Sequence, residues 1–309
     1  MTRLTSLFIA LAALLFVSST ASASPGDVSD ALAHVPSDSF AVLTADLDSV
    51  KTTAIFDKIK QTFLKEEKDA KKELAELKKA TGFDPWRDVH AAVLAFPPEF
   101  LKNDDNFVAV IRADVDEAKV LAYMKSKGGK VEQKQSKSGG NYYLLGDRKK
   151  GAMAFRGKLV FVAGAQVIER ALASRTAPAP LRRVLGKFEK SDIGLAIRAI
   201  PELTKKLKKE DPMLADAKDL AAGLDLAAGG LALEAVASFS NTSTPKKIAD
   251  LANDGLKKGQ ADKSVKEMGF DTLLGKIKVE ARGTKLEGNA SLTKSEVDRV
   301  MKTLEKLLF

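Results

Sequence analysis

Apolar residues recur along this chain in two patterns, short runs typical of strands and three-to-four-residue spacing typical of helices. The run Phe40–Ala45 predicts a first strand, and Asp46–Ser49 after it supplies residue types that favour a helix N-cap. The inward positions of the helix predicted next are Ile55, Phe56, Ile59, Phe63, Leu74 and Leu77.

The stretch Thr81–Phe96 ends this helix and starts the sheet. Gly82 accepts the positive φ that closes a helix, and Pro85 prevents the helix from resuming. Trp86 is the only tryptophan. Because aromatic rings bury the most apolar area per side chain, we expect Trp86 to anchor the corner between helix and sheet.

The rest of the first half predicts strands, one helix between them and a last helix. The helix carries Val120, Leu121 and Met124 inward, and Gly128 ends it. The predicted strands are His90–Phe96, Phe107–Ala113, Val131–Gln135, Tyr142–Leu145, Ala152–Phe155 and Leu159–Ala163, followed by a helix at Val167–Leu172.

The second half repeats the pattern of the first. Asp192–Pro201 matches the first strand-to-helix start, with Leu195 over Val42, Ile197 over Thr44 and Pro201 over Asp48. Apolar spacing over Met213–Leu224 then predicts a second amphipathic helix, closed by Gly223-Leu-Asp225 as Gly82-Phe-Asp84 closes the first.

The end of the chain continues the correspondence. Leu231–Phe239 predicts a strand, and Pro245–Leu256 a helix that matches the one beginning after Asp116. Glu280–Leu286 then matches Ala154–Leu159, each with an Arg-Gly turn. A final helix opens with Thr293 and Glu296 at capping-box spacing, with Val297, Met301, Leu304 and Leu308 on one side.

We therefore predict an α+β fold of two divergent repeats, each a mainly antiparallel sheet with helices packed on one face. The first repeat spans residues 24–172 and the second 191–309. Between them, residues 173–190 begin with a Pro/Ala-rich stretch that indicates a linker.

The first 23 residues have the pattern of a secretory signal peptide. Arg3 is the positive n-region, Leu7–Val17 the apolar h-region and Ala21-Ser-Ala23 the cleavage site, with cleavage expected after Ala23. We expect an exported, periplasmic protein. No later segment approaches the roughly twenty apolar residues of a transmembrane anchor.

Composition and charge exclude several functions. The chain has no cysteine, which excludes disulfides and thiolate chemistry. Its net charge of +9 is spread among interleaved acidic residues. Nucleic acid is therefore not an expected partner, because its binding needs a concentrated basic face. Weak attraction to anionic envelope surfaces remains open.

The candidate catalytic residues all have simpler explanations. His34 and His90 are the only histidines, and neither lies in a metal or catalytic motif. Four carboxylate pairs suggest glycoside-hydrolase chemistry, but three lie at helix ends and one in a loop: Asp46/Asp48, Asp84/Asp88, Asp114/Asp116 and Asp104/Asp105. Capping explains the three better. We predict no catalytic, cofactor-binding or metal-binding residue, and no cofactor.

Two stretches carry a resemblance to a family. Pro36–Asp46, PSDSFAVLTAD, and Gly82–Val89, GFDPWRDV, together with the signal peptide and duplicated layout, resemble exported bacterial proteins of a domain-of-unknown-function type. The resemblance covers nearly the whole mature chain. It implies no catalytic residues.

The function predicted from these observations is non-enzymatic. Export without a catalytic constellation favours a periplasmic binding or interaction protein, whose partner is an envelope protein or an apolar ligand. The alternative within that class is a carrier that holds lipid or another apolar ligand between Ala- and Leu-rich helices and the sheet. A carboxylate-dependent hydrolase is a third, less favoured class.

Overall fold

The computed structural model describes residues 25–53, 56–57, 60–61, 68–210, 212–226, 230–267 and 269–300. The chain divides between Arg182 and Arg183 into two compact units. The predicted signal peptide lies outside the described residues, and so do Ile55, Ile59, Phe63, Met301, Leu304 and Leu308.

The described part of unit 1 combines seven strands with helices. Its strands are β1 (Ala41–Asp46), β2 (Val89–Phe96), β3 (Val108–Ala113), β4 (Val131–Gln135), β5 (Asn141–Leu145), β6 (Gly151–Arg156) and β7 (Leu159–Gly164). Its helices are α1 (Pro25–Leu32), α2 (Leu47–Val50), α3 (Lys68–Thr81), α4 (Pro85–Asp88), α5 (Glu117–Ser126) and α6 (Ile168–Ala173), with a 3-10 turn at Pro98–Leu101. Helix α7 (Ala179–Leu185) spans the boundary between the units.

Unit 2 has five strands in its described part. They are β8 (Ile193–Arg198), β9 (Ala217–Asp225), β10 (Leu231–Phe239), β11 (Lys278–Arg282) and β12 (Lys285–Leu292). The helices are α8 (Pro201–Glu210), α9 (Ser243–Ala261), α10 (Lys263–Glu267) and α11 (Asp271–Lys276), and 3-10 turns cover Gly186–Lys190 and Leu214–Asp216.

The two units share one strand order. Within unit 1 the order is β1-β2-β3-β7-β6, continued by β5 and β4, and within unit 2 it is β8-β9-β10-β12-β11. The pairs within each unit are antiparallel. The predicted α+β class with mainly antiparallel sheet is confirmed, and the common order accords with the predicted repeat. Unit 1 differs by the additional hairpin β4–β5.

The strand registers place the repeat correspondence one residue from the predicted one. Both Arg-Gly turns form, with Gly157 at φ 59° and Gly283 at φ 62°. Starting from these hairpins, successive cross-strand pairs make Leu43 equivalent to Leu195 and Ala45 to Ile197. The predicted match of Val42 with Leu195 was wrong, since a one-residue shift places the two side chains on opposite faces of the sheet.

The predicted second amphipathic helix was also wrong. Residues 217–225 form strand β9, which pairs with β8 on one side and β10 on the other. Only the short 3-10 turn at Leu214–Asp216 precedes it. Alanine and leucine favour helix, but hydrogen bonding to two neighbouring strands outweighs that propensity. Strand β9 is thus the equivalent of β2, and not of the first long helix.

The corner after α3 is stabilised by its own caps. Gly82 has φ 80°, as predicted. Asp84 then accepts a hydrogen bond from the Trp86 N–H, while the Asp84 N–H donates to Asp88 Oδ2 at 2.7 Å. The sequence predicted that Pro85 would prevent the helix from resuming, and this was wrong. Pro85 occupies the first turn of α4, where its missing N–H costs nothing.

Trp86 packs against one ring at this corner. Its ring meets Phe56 edge to face at 5.6 Å between centroids, and Lys60 Nζ lies 5.7 Å from the ring centre. The side chain is half-buried. The contacts agree with a structural anchor.

The segment predicted as a linker contains regular structure. Helix α7 and the 3-10 turn Gly186–Lys190 occupy its second half, and they bury Leu181, Leu185 and Phe188. The boundary between the units falls inside the predicted range. Apolar side chains at helical spacing explain why this part folds although the preceding residues are rich in proline and alanine.

Candidate functional site

One face of the unit 2 sheet is made of aliphatic residues and glycine, apart from the buried Phe239 at the end of β10. Cross-strand pairing places sixteen positions of the five strands on this face. They are Ile193, Leu195, Ile197, Leu220, Ala222, Leu224, Leu231, Leu233, Ala235, Ala237, Val279, Ala281, Leu286, Gly288, Ala290 and Leu292. We call it the aliphatic face.

A shallow furrow crosses the aliphatic face. Ala222, Ala235 and Gly288 are paired with one another across β9, β10 and β12, so they form one row of small residues. Two residues away along the strands, about 7 Å, lie four leucines, with Ala237 between two of them and Ala290 beside Leu233. Leu220 and Leu286 border the row on one side, and Leu224 and Leu233 border it on the other. We call this row and its borders the furrow.

The furrow is open to solvent. Leu233 is 43% exposed, and the other furrow residues are half-buried. A Cβ added to Gly288 would meet only the Lys278 carbonyl oxygen, at 3.9 Å. Close packing therefore does not explain why this position is glycine.

Helices cover only part of this face. Helices α9 and α11 pack against β12, and α9 also packs against β11, where Asn253 Nδ2 donates to the Val279 carbonyl at 2.9 Å. Helix α8, which connects β8 to β9, has no buried residue. The strands β8 to β10 thus leave apolar side chains partly exposed.

The equivalent face of unit 1 carries larger side chains. By register, Leu94, Ala109 and Val162 occupy the positions of Ala222, Ala235 and Gly288. Leu94 is 8% exposed and Ala109 is 5% exposed. The furrow is therefore a property of the second unit, in which leucine is replaced by alanine and valine by glycine.

The opposite face of the unit 2 sheet is different in character. Strands β10, β11 and β12 carry Glu234, Glu280, Lys285, Asn289 and Ser291 on it, all exposed. Ordinary solvated sheet faces have this composition. The partly exposed aliphatic face is the unusual one, because extended apolar patches at the surface mark binding sites in soluble proteins.

A second cluster of polar residues lies in unit 1 around His90. The ring Nδ1 is 2.8 Å from Asp48 Oδ2, and Nε2 is 2.9 Å from Asp114 Oδ2. Lys51 also contacts Asp48, and Lys158 contacts Asp114, each at 2.9 Å. Lys158 and then His90 hold the pKa of Asp114 below its usual value. We call these five residues the His90 cluster.

The His90 cluster is poorly suited to acid–base catalysis. Each ring nitrogen lies within hydrogen-bond distance of a carboxylate, so a substrate would have to displace Asp48 or Asp114 to reach the imidazole. The two carboxylates are likewise held by lysines. The described residues contain no group of three or more metal-ligating side chains arranged for a metal ion.

Three of the predicted caps are present. Asp46 accepts from the Ser49 N–H, Asp84 from Trp86 and Asp116 from Lys119, each at 3.1 Å. Asp48, however, is not the capping residue of its pair, because the Ser49 N–H donates to Asp46. In the loop pair, Asp105 contacts Lys150 at 3.4 Å.

His34 is half-buried at the edge of the core. Its ring meets Phe161 edge to face at 5.1 Å, and its buried Nδ1 has no hydrogen-bond partner among the described residues. Burial, with Arg175 nearby, lowers the pKa of His34. It does not approach the His90 cluster in any described contact.

Neither site was found from the sequence. Asp48, His90 and Asp114 lie 42 and 24 residues apart, and no motif links them. The apolar strand patterns of β8 and β10 were recognised from the sequence, whereas β9 was predicted as a helix. The furrow depends on which residues pair across strands, which the alternation does not determine.

Comparisons with known proteins show a likeness of fold. No protein-family model matches the chain, and no curated protein is detectably similar in sequence. The structure of crystal form IV of TP0453 superposes with a TM-score of 0.50 at 12% identity, covering 91% of this chain and all of that one. Crystal form III of TP0453 gives a TM-score of 0.49 at 13% identity, with 91% and 98% covered.

The likeness to crystal form IV places the chain among α+β proteins with a TP0453-like fold. Identity this low shows the fold alone. The resemblance to exported proteins of unknown function stays a prediction. In the part of the chain that is described, no helix is long and apolar enough to cross a membrane.

Proposed function

We propose that this chain is a non-enzymatic exported protein of the cell envelope, and that it binds the aliphatic chain of an amphiphile in the furrow. The observation that carries the proposal is the aliphatic face, with sixteen apolar positions and an open row of small residues. The proposal adopts the carrier that the sequence left as an alternative.

The composition of the furrow favours a particular ligand chemistry. None of the sixteen positions carries an aromatic or polar side chain, and Phe239 at the end of β10 is buried, so the open part of the face offers neither a stacking platform nor a hydrogen-bond partner from its strand side chains. Binding there would gain mainly from removing apolar surface from water. Such a surface suits a flexible hydrocarbon chain better than an aromatic or sugar ligand.

Export is supported by the sequence pattern of Arg3, Leu7–Val17 and Ala21–Ala23. The absence of a catalytic role is supported by the occupied ring nitrogens of His90 and the capping roles of the carboxylates. Mass spectrometry of the protein from the envelope fraction tests the first part. We expect a mature chain that begins at Ser24, whereas an intact Met1 start in that fraction would contradict it.

Native mass spectrometry and a lipid titration test the binding. The full mature chain, purified without detergent, is expected to carry an extra mass that solvent extraction identifies as an acyl compound. After delipidation it should bind radiolabelled palmitate saturably at one site. A bare chain that does not bind palmitate, yet crosslinks to one envelope protein, would instead favour the protein-interaction reading.

A further inference from the structure

The His90 cluster joins three parts of unit 1 that are separate in sequence. Asp48 lies in α2, His90 near the start of β2 and Asp114 directly after β3. The ring is 24% exposed on its side chain, so solvent protons reach it. Each of its nitrogens lies within hydrogen-bond distance of a different carboxylate.

The number of ring protons decides whether both contacts are bonds. Carboxylates accept hydrogen bonds but do not donate them, and a neutral imidazole has only one N–H. Both contacts are therefore hydrogen bonds only when the ring is doubly protonated. With a neutral ring, one nitrogen lone pair faces a carboxylate oxygen. Histidine is the side chain whose charge ordinarily changes between pH 5 and 8.

The two carboxylates are not equally free to move. Asp114 is fixed by its backbone, because its N–H donates to the Asp88 carbonyl at 2.9 Å whatever the state of the ring. Asp48 belongs to a helix of four residues in which Leu47, Ser49 and Val50 are buried and Asp48 is the half-exposed member. Apart from His90, its carboxylate is held by Lys51 Nζ, which donates to Asp48 and to the Arg87 carbonyl at 2.8 Å.

We propose that His90 is a pH-sensitive clasp that holds α2 against the ends of β2 and β3. The protonated ring binds Asp48 and Asp114 together. Loss of the second proton keeps the contact with Asp114 and releases Asp48, so the first turn of α2 loosens. This proposal is independent of ligand binding in the furrow.

The other charged groups around the ring keep their charge near neutral pH. Lys51 and Lys158 face it from α2 and from the turn between β6 and β7, and Asp88 adds a negative charge that Arg87 pairs with at 2.6 Å. Lysine and arginine stay charged near neutral pH, and the pKa values of Asp88 and Asp114 are lowered by their partners.

Nuclear magnetic resonance of the full chain tests the clasp. The chain has only two histidines, so a His34→Gln variant leaves His90 as the single ring signal. We expect both ring nitrogens to carry protons at low pH and one to lose its proton on raising the pH. Over the same range the Lys51 amide, which donates to the Leu47 carbonyl, should exchange about tenfold faster than base catalysis alone explains.

Two variants separate the clasp from general loosening. Asp48→Asn gives residue 48 an amide donor that can bind a bare ring nitrogen, so protection of the Lys51 amide should persist at high pH. Asp105→Asn removes the same charge from an exposed loop pair and should leave the wild-type pH dependence unchanged. Identical pH dependence of this amide in wild type, Asp48→Asn and His90→Gln would overturn the proposal.

Discussion

Gly223 in β9 lies directly against the side chain of Phe188. A Cβ at residue 223 would come within 2.4 Å of Phe188 Cδ1 and 2.5 Å of Ser191 Oγ. The 3-10 turn Gly186–Lys190 therefore packs on this strand only because residue 223 has no side chain. The contact also explains why the glycine expected to close a helix lies inside a strand.

Gly223→Ala is expected to destabilise the protein by about 1–3 kcal/mol, because the methyl group overpacks this contact. Urea unfolding followed by circular dichroism measures it. Gly255→Ala is the matched control. Gly255 lies within α9 with nothing within 4 Å of an added Cβ, so this change should stabilise by about 0.5–1 kcal/mol. Equal effects of the two substitutions would contradict the packing account.

His34 should make the protein sensitive to acid. Burial lowers its pKa in the folded state below the usual 6.5, so the unfolded chain binds the proton more readily. This contribution to stability is complete above pH 6.5 and is lost as the pH falls toward the lower folded-state pKa. Thermal unfolding of His34→Gln at several pH values should show a smaller loss below pH 6.5 than wild type. If His34→Gln loses as much stability below pH 6.5 as wild type does, a group other than His34 causes the acid sensitivity.

Asp84 should stabilise the corner after α3 by accepting the hydrogen bond from the Trp86 N–H, and not by its ion pair with Lys78. Asp84→Ala is expected to cost about 1 kcal/mol in the free energy of unfolding. Asp84→Asn keeps a side-chain oxygen that caps as well, and loses only the charge. It should remain close to wild type. If both variants lose the same stability, the ion pair dominates.

The sequence predicted secondary structure correctly where the apolar pattern and the turn residues point to the same element. Leu231–Phe239 and the two Arg-Gly hairpins form as expected, since alternation and a glycine at positive φ point the same way. The helix predicted over Met213–Leu224 was wrong, because alanine and leucine at these spacings fit a helix as well as a strand that pairs with a neighbour on each side. Only the pairing partners of β9 decide between them.

The two candidate sites depend on register, which local patterns leave open. The His90 cluster forms beside an irregularity between Val89 and Ala91 in the pairing of β2 with β3. The furrow needs Ala222, Ala235 and Gly288 to align across three strands. Neither the pairing irregularity nor the alignment of the three small residues can be predicted from the spacing of residues along the chain.

The central claim is that the furrow binds an aliphatic chain, and filling its floor tests this most directly. Gly288→Leu places a side chain into the open row, and Asn289→Leu places the same side chain on the exposed opposite face of the same strand. Circular dichroism and thermal unfolding should first show that both variants fold.

Binding of radiolabelled palmitate to the delipidated full chain is the measurement. The account predicts at least about tenfold weaker binding for Gly288→Leu, because an overfilled site loses apolar contact with the ligand, and wild-type binding for Asn289→Leu. Undiminished binding by Gly288→Leu would place the ligand elsewhere and contradict the account.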